Sequence, residues 1–65
     1  MNTFEKILAE RISDHKNIIG QFQAHIRTES SNVTPDMYQI QNYLSVIRNE
    51  IARKQECERI LELIK

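Results

Sequence analysis

Apolar residues recur at helical spacing over the first part of the chain. With successive residues placed about 100° apart, they fall within one arc of about 140°, which is typical of an amphipathic helix. The set comprises Phe4, Ile7, Leu8, Ile12, Ile18, Ile19, Phe22 and Ile26. Asn2 and Glu5 have the spacing of a capping box, so the pattern predicts a helix over residues 3–28.

A turn-rich segment follows and separates this helix from a second one. Residues 29–34 lack helical periodicity and include serine and asparagine, which favour turns. Thr34 is a good helix cap, Pro35 suits the first helical position, and Asp36 complements the helix dipole in the first turn. No glycine or proline interrupts the chain after Pro35. We therefore predict a turn over 29–34 and a helix over 35–64.

The second helix carries two apolar stripes. The first stripe is formed by Met37, Ile40, Tyr43, Leu44, Ile47 and Ile51. The second stripe is formed by Cys57, Ile60, Leu61 and Ile64, with Val46 one level earlier. At helical spacing the two stripes are rotated by about 120°, so we expect that one straight partner helix cannot cover both.

The short connection makes the two helices antiparallel neighbours, which predicts an all-α fold, a two-helix antiparallel hairpin in one domain. Folding about the turn predicts the opposite pairs Ile26–Met37, Phe22–Ile40, Ile19–Leu44, Ile12–Ile51, Leu8–Gln55 and Phe4–Arg59. The last two pairs join an apolar to a polar residue, so we expect apolar surface there to remain uncovered. Chains of this size without a disulfide or metal usually associate. The simplest expectation is a homodimer that forms a four-helix bundle.

The composition narrows the class of function. The 65 residues include nine basic and nine acidic side chains, and this balance disfavours binding to nucleic acid mainly through phosphates. No apolar run approaches the roughly 20 residues that span a bilayer, and the first residues lack the pattern of a signal peptide. Cys57 is the single cysteine, which favours a reducing compartment. We therefore expect a cytoplasmic protein with no membrane partner.

Few side chains are candidates for a catalytic, metal-binding or pH-sensitive role. His15 lies at the centre of the first stripe with Arg11 one turn earlier, and we expect both to be polar core residues that fix register or dimer orientation. A pH-sensitive interface at His15 is the alternative. His25 lies too far along the helix to share a metal with His15, and Cys57 suits a small apolar position. The sequence carries no catalytic, metal or cofactor motif, so we expect a non-enzymatic protein without a cofactor.

The apolar residues that the predicted hairpin leaves uncovered indicate a binding function. We expect a small protein-binding regulator, adaptor or inhibitor that acts through an oligomeric helical bundle. Its interface residues are predicted to be Phe4, Ile7, Leu8, Val46, Cys57, Ile60, Leu61 and Ile64. These residues serve either another protein or the twin subunit, and both alternatives stay open.

An RNA-binding alternative comes from architecture. The predicted hairpin resembles the plasmid Rop-type proteins, which are helical hairpins of about this length that dimerise into a four-helix bundle and grip RNA loops. The resemblance implies RNA contact through outer cations such as Lys6, Lys16 and Arg27. Tyr38 and Tyr43 are the rings able to stack on bases. Because the resemblance lies in architecture and no motif is shared, binding to protein is the favoured expectation.

Overall fold

Two antiparallel helices account for nearly all of the structure. A computed structural model describes residues 2–65, with α1 spanning Thr3–Ser30 and α2 spanning Met37–Ile64. The helices pack against each other as a rod of about 50 × 14 × 11 Å, and the described residues contain no strand. The predicted all-α hairpin is confirmed. Residues 2 and 65 therefore lie at one end of the rod, and the turn lies at the other.

Local hydrogen bonds explain where α1 begins and ends. The Asn2 side-chain oxygen accepts the Glu5 N–H at 2.8 Å, and the Asn2 amide donates to the Glu5 carboxylate at 3.1 Å. This is the predicted cap, although Glu5 bonds to the Asn2 side chain where the usual capping box uses the backbone N–H. At the other end, the Ser31 hydroxyl donates to the Arg27 carbonyl at 2.8 Å. The helix thus continues two residues beyond the predicted end at residue 28.

The start of α2 differs from the prediction. Thr34 was expected to cap and Pro35 to open the helix, but Asp36 is the cap and α2 begins at Met37. The Asp36 carboxylate accepts the Gln39 N–H at 3.1 Å. The Asp36 N–H also donates to the Glu29 carboxylate at 2.7 Å, so the end of α1 is tied directly to the start of α2.

A set of buried and half-buried side chains recurs at alternating spacings of three and four residues on both helices. This is the heptad spacing of helices that keep one seam in contact along their length. The seam comprises Leu8, Ile12, His15, Ile19, Phe22 and Ile26 on α1, and Ile40, Tyr43, Ile47, Glu50, Lys54, Cys57 and Leu61 on α2. Glu50 is the one charged residue among the four that are buried in the described chain.

Two contacts between the helices define their register. The rings of Phe22 and Tyr43 have centroids 5.6 Å apart, and His15 bonds to Glu50. Moving seven residues back along α1 therefore moves seven residues forward along α2, and one more such step brings Leu8 opposite Cys57. Leu8 is only 5% exposed. All six predicted pairs are thus wrong by two to three residues.

The two predicted stripes of α2 each contribute to the seam, while Ile60 and Ile64 of the second stripe lie outside it. Ile40 and Ile47 from the first stripe are buried, and Cys57 and Leu61 from the second are half-buried. A heptad seam drifts by about 20° per seven residues when it is plotted at ideal helical spacing, or about 60° from Ile40 to Leu61, so one continuous seam includes residues of both stripes. Ile51, assigned to the first stripe, is 36% exposed.

Candidate functional site

An apolar groove lies between the two helices near the chain ends. It encloses about 720 Å³, and its lining residues come from the first turns of α1 and the last turns of α2. They are Phe4, Ile7, Leu8, Arg11, His15, Arg53, Glu56, Cys57 and Ile60. Phe4 is 52% exposed and Ile7 is 41% exposed, so the groove is open on the side away from the seam.

Most of the predicted interface residues meet in this groove. Five of the eight, Phe4, Ile7, Leu8, Cys57 and Ile60, line it together. The other three lie elsewhere: Val46 is half-buried farther along α2, Leu61 belongs to the seam, and Ile64 is 37% exposed at the end of α2. The groove therefore joins side chains from both ends of the sequence, which the corrected register makes neighbours.

A buried polar pair interrupts the seam at the middle of the rod. The Nδ1 atom of His15 bonds to the Oε2 atom of Glu50, and the two side chains are 17% and 11% exposed. Arg53 approaches the second Glu50 oxygen at 4.0 Å. This contact agrees with the expectation that His15 is a hydrogen-bonded core residue. Its role in setting dimer orientation remains a prediction.

Sequence reasoning missed Glu50, which is the partner of His15. Glutamate is rarely buried unless it is paired, so composition offered no reason to place it inside. The available signal was its spacing, because Glu50 lies seven residues beyond Tyr43 on the heptad seam. Only the correct register brings this position opposite His15.

Arg11 is corrected from a core residue to a surface residue. It is exposed and lies on the rim between the apolar groove and a second cavity of about 250 Å³. That cavity is also lined by Asp14, His15, Ile18, Glu50 and Arg53. We call Arg11, Asp14, Glu50 and Arg53 the charged centre. Because the two cavities share Arg11, His15 and Arg53, the groove and the charged centre form one continuous face of the hairpin.

Three rings cluster at the far side of the charged centre. Phe22 meets His25 edge-on with centroids 5.3 Å apart, and Tyr43 lies 5.4 Å from His25. The Tyr43 hydroxyl accepts a hydrogen bond from the Gln39 amide at 2.7 Å. Aromatic pairs of this geometry add stability beyond their buried area. The cluster therefore strengthens the part of the seam nearest the turn.

An exposed ion pair flanks the apolar groove. The Arg59 Nε atom donates to Glu56 at 3.2 Å within one turn of α2. The hydrogen bond and charge of Arg59 hold the pKa of Glu56 below its usual value, and Glu56 in turn raises the pKa of Arg59. Glu56 therefore stays ionised at the edge of the groove across the neutral range.

Residues 2–65 contain no cluster of three or more His, Cys, Asp or Glu side chains that is suited to hold a metal ion. Within the same range, neither helix has the length and apolar character needed to cross a membrane. No model of a known protein family matches the chain, and no curated protein or solved structure was found to match it. The geometry of the face is thus the basis for a functional proposal.

Proposed function

We propose that this chain is a small, non-enzymatic protein-binding module, a regulator, adaptor or inhibitor that acts as a self-associated helical bundle. The observation that carries the proposal is the apolar groove. Phe4 and Ile7 present large side chains at its open side, where they are half exposed. Contiguous apolar surface rimmed by charged residues is typical of a protein interaction site.

The small interior of the hairpin supports the need for an additional covering surface. Only Leu8, Ile40 and Ile47 are buried apolar residues in the described chain, and none of its side chains is buried completely. The accessible surface is 4959 Å² for a chain of 7.7 kDa. A compact monomer of that mass exposes about 4,300 Å². The elongated hairpin therefore exposes more surface than a compact monomer, which supports the proposed association.

A reducing setting is consistent with the single cysteine. Cys57 is a free thiol and half-buried in the groove. Unpaired cysteines persist where thiols are kept reduced, which supports placing the proposed module in the cytoplasm.

Sedimentation equilibrium on two matched variants tests the proposal. Ile7→Asp places a charge in the groove, and Ile51→Asp places one at a position outside both cavities with similar exposure, 36% against 41%. We expect the unmodified chain to associate at micromolar concentration and Ile51→Asp to behave alike. Ile7→Asp should weaken association while circular dichroism shows that its helices persist, because an apolar interface does not tolerate an unpaired carboxylate.

Two results would contradict the proposal. The first is a folded monomer at micromolar concentration that captures no protein through the groove. The second is RNA binding that falls steeply with salt and is lost in Lys16→Glu with Arg27→Glu, which would favour the Rop-type alternative.

A further inference from the structure

We propose that the apolar groove is covered by a second copy of this chain, stacked antiparallel on the first about a two-fold axis perpendicular to the rod. In this arrangement α1 lies on α1 of the second copy and α2 on α2, and the axis passes through the charged centre. The inference rests on the proposed self-association and specifies its geometry. It is argued from the order of charges and apolar residues along the face.

The charges on the α1 part of the face complement those on α1 of a second copy that runs in the opposite direction. Arg11 and Asp14 carry opposite charges three residues apart, and both line the second cavity. A two-fold axis midway between them brings Arg11 opposite Asp14 of the second copy, and Asp14 opposite the second Arg11. The same axis brings Ile7 opposite Ile18 of the other copy. These isoleucines share a face because eleven residues complete about three helical turns.

The α2 part of the face repeats this order. Glu50 and Arg53 are again opposite charges three residues apart. An axis midway between them brings Arg53 opposite Glu50 of the second copy, and it brings Cys57 opposite the second Val46. Both Cys57 and Val46 are half-buried in the single hairpin, so each retains apolar surface to bury.

One axis satisfies both helices. The His15–Glu50 contact sets the levels of α1 and α2 along the rod. In that register, the midpoint of the α1 pairs and the midpoint of the α2 pairs differ by one residue, or about 1.5 Å. Two independent sequence patterns therefore share a common centre, which is what an isologous two-fold interface requires.

The charges disfavour the other simple stack. If the two-fold axis ran along the rod, α1 would lie on α2 of the second copy at unchanged levels. Arg11 would then meet Arg53 of the second copy, and Asp14 would meet the second Glu50. Like charges facing each other across an interface are strongly unfavourable. The antiparallel stack replaces both repulsive contacts by attractive ones.

A charge-exchange experiment tests the α1 contact. Arg11→Glu and Asp14→Arg each place like charges across the proposed axis, so each variant alone should associate about tenfold more weakly than the unmodified chain. In an equimolar mixture, Glu replaces Arg11 in one copy and Arg replaces Asp14 in the other, which restores both contacts. Heterodimers should therefore form with an affinity within about threefold of the unmodified dimer.

A second mixture controls for net charge. Lys16→Glu and Glu10→Arg carry the same charge changes on α1 at positions that line neither cavity. Each should associate as the unmodified chain does, and mixing them should not increase the affinity of association. If the unmodified chain dimerises but the Arg11→Glu and Asp14→Arg mixture shows no recovery, the proposed geometry is wrong while self-association stands. If the unmodified chain is a monomer, self-association itself fails.

Cysteine pairing tests the α2 contact independently. The stack places Cys57 opposite Val46 of the second copy, whereas Cys57 and Val46 of one copy are about 16 Å apart along α2. Val46→Cys should therefore yield disulfide-linked dimers under mild oxidation, and the unmodified chain should yield far fewer. Arg48→Cys is the control, because residue 48 is exposed, lines neither cavity, and lies about 200° around α2 from Val46 at nearly the same level. Efficient linkage between copies through Arg48→Cys, without linkage through Val46→Cys, would overturn the proposal.

Discussion

His15 on α1 and Glu50 on α2 form the only side chain to side chain hydrogen bond that joins the two helices in the described part of the chain. The pair lies at mid-rod, and apart from Lys54 the neighbouring seam residues on both sides are apolar. Each side chain is therefore costly without the other, because a buried polar group that lacks its partner keeps the full penalty of desolvation.

This reasoning predicts non-additive effects at the pair. His15→Leu should lower the free energy of unfolding by about 1–3 kcal/mol because it leaves Glu50 unpaired. Adding Glu50→Leu should recover that loss or exceed it, since apolar pairs often replace buried ion pairs without cost. Urea unfolding of all variants at one protein concentration measures the effect. A double variant as unstable as the single one would show that unpaired Glu50 does not cause the loss of stability in His15→Leu.

The open surface above Gly20 predicts a stabilising substitution. Gly20 lies within α1, and a Cβ atom built on it meets nothing within 4 Å. Gly20→Ala should therefore raise the free energy of unfolding by about 0.5–1 kcal/mol, because glycine loses more backbone freedom in a helix. Thermal unfolding checks the gain. Loss of self-association in this variant would instead mean that a partner backbone packs closely against Gly20.

The two candidate caps of α2 predict opposite outcomes. Asp36→Ala removes the acceptor of the Gln39 N–H and should cost about 1 kcal/mol. Thr34→Ala is the matched control, since Thr34 lies outside the helix and should change stability by less than about 0.5 kcal/mol. Chemical denaturation of the two variants compares them directly. A larger loss at Thr34 would restore the cap expected from the sequence.

The ion pair beside the groove predicts a shift in titration. Arg59 lowers the pKa of Glu56, so the pair stabilises the folded chain above the ordinary glutamate pKa, and this contribution disappears as pH falls through the lowered value. Arg59→Gln should raise the pKa of Glu56 towards its ordinary value, which NMR titration of the side-chain carboxyl resolves. Lys65→Gln, which removes the partner of Glu62, should leave Glu56 unchanged. Because the pair is exposed, its effect on overall stability should be small.

Local signals were sufficient to predict the elements of this fold. Asn2 and Glu5 mark the start of α1 by their spacing alone, and a turn with proline separates two uninterrupted helical patterns. At the second cap, three consecutive residues each suit a helix start. Hydrogen bonding to Gln39 and Glu29 makes Asp36 the cap. Such competition depends on contacts that a sequence pattern does not contain.

The register was harder to predict because small errors accumulate along a long seam. Helical and heptad periods differ little over one turn, yet the difference moves Cys57 and Leu61 onto an apparently separate face. The same register error left Glu50 unrecognised, because its role depends on its position opposite His15. Residues of the groove were recognised individually as surplus apolar surface. That they lie together in one groove could not be predicted, because it depends on the register between α1 and α2.

Residues 2 and 65 lie at one end of a rod about 50 Å long, and this has a consequence for genetic fusion of two copies. In the proposed antiparallel stack, residue 65 of one copy and residue 2 of the other are separated by about 35 Å along the rod, because the two-fold axis lies closer to these residues than to the turn. A tandem fusion would then need a linker of at least about 10 extended residues to reach the paired state within one polypeptide. A stack with both copies pointing the same way would need only a few, so the shortest linker that works reports their relative direction.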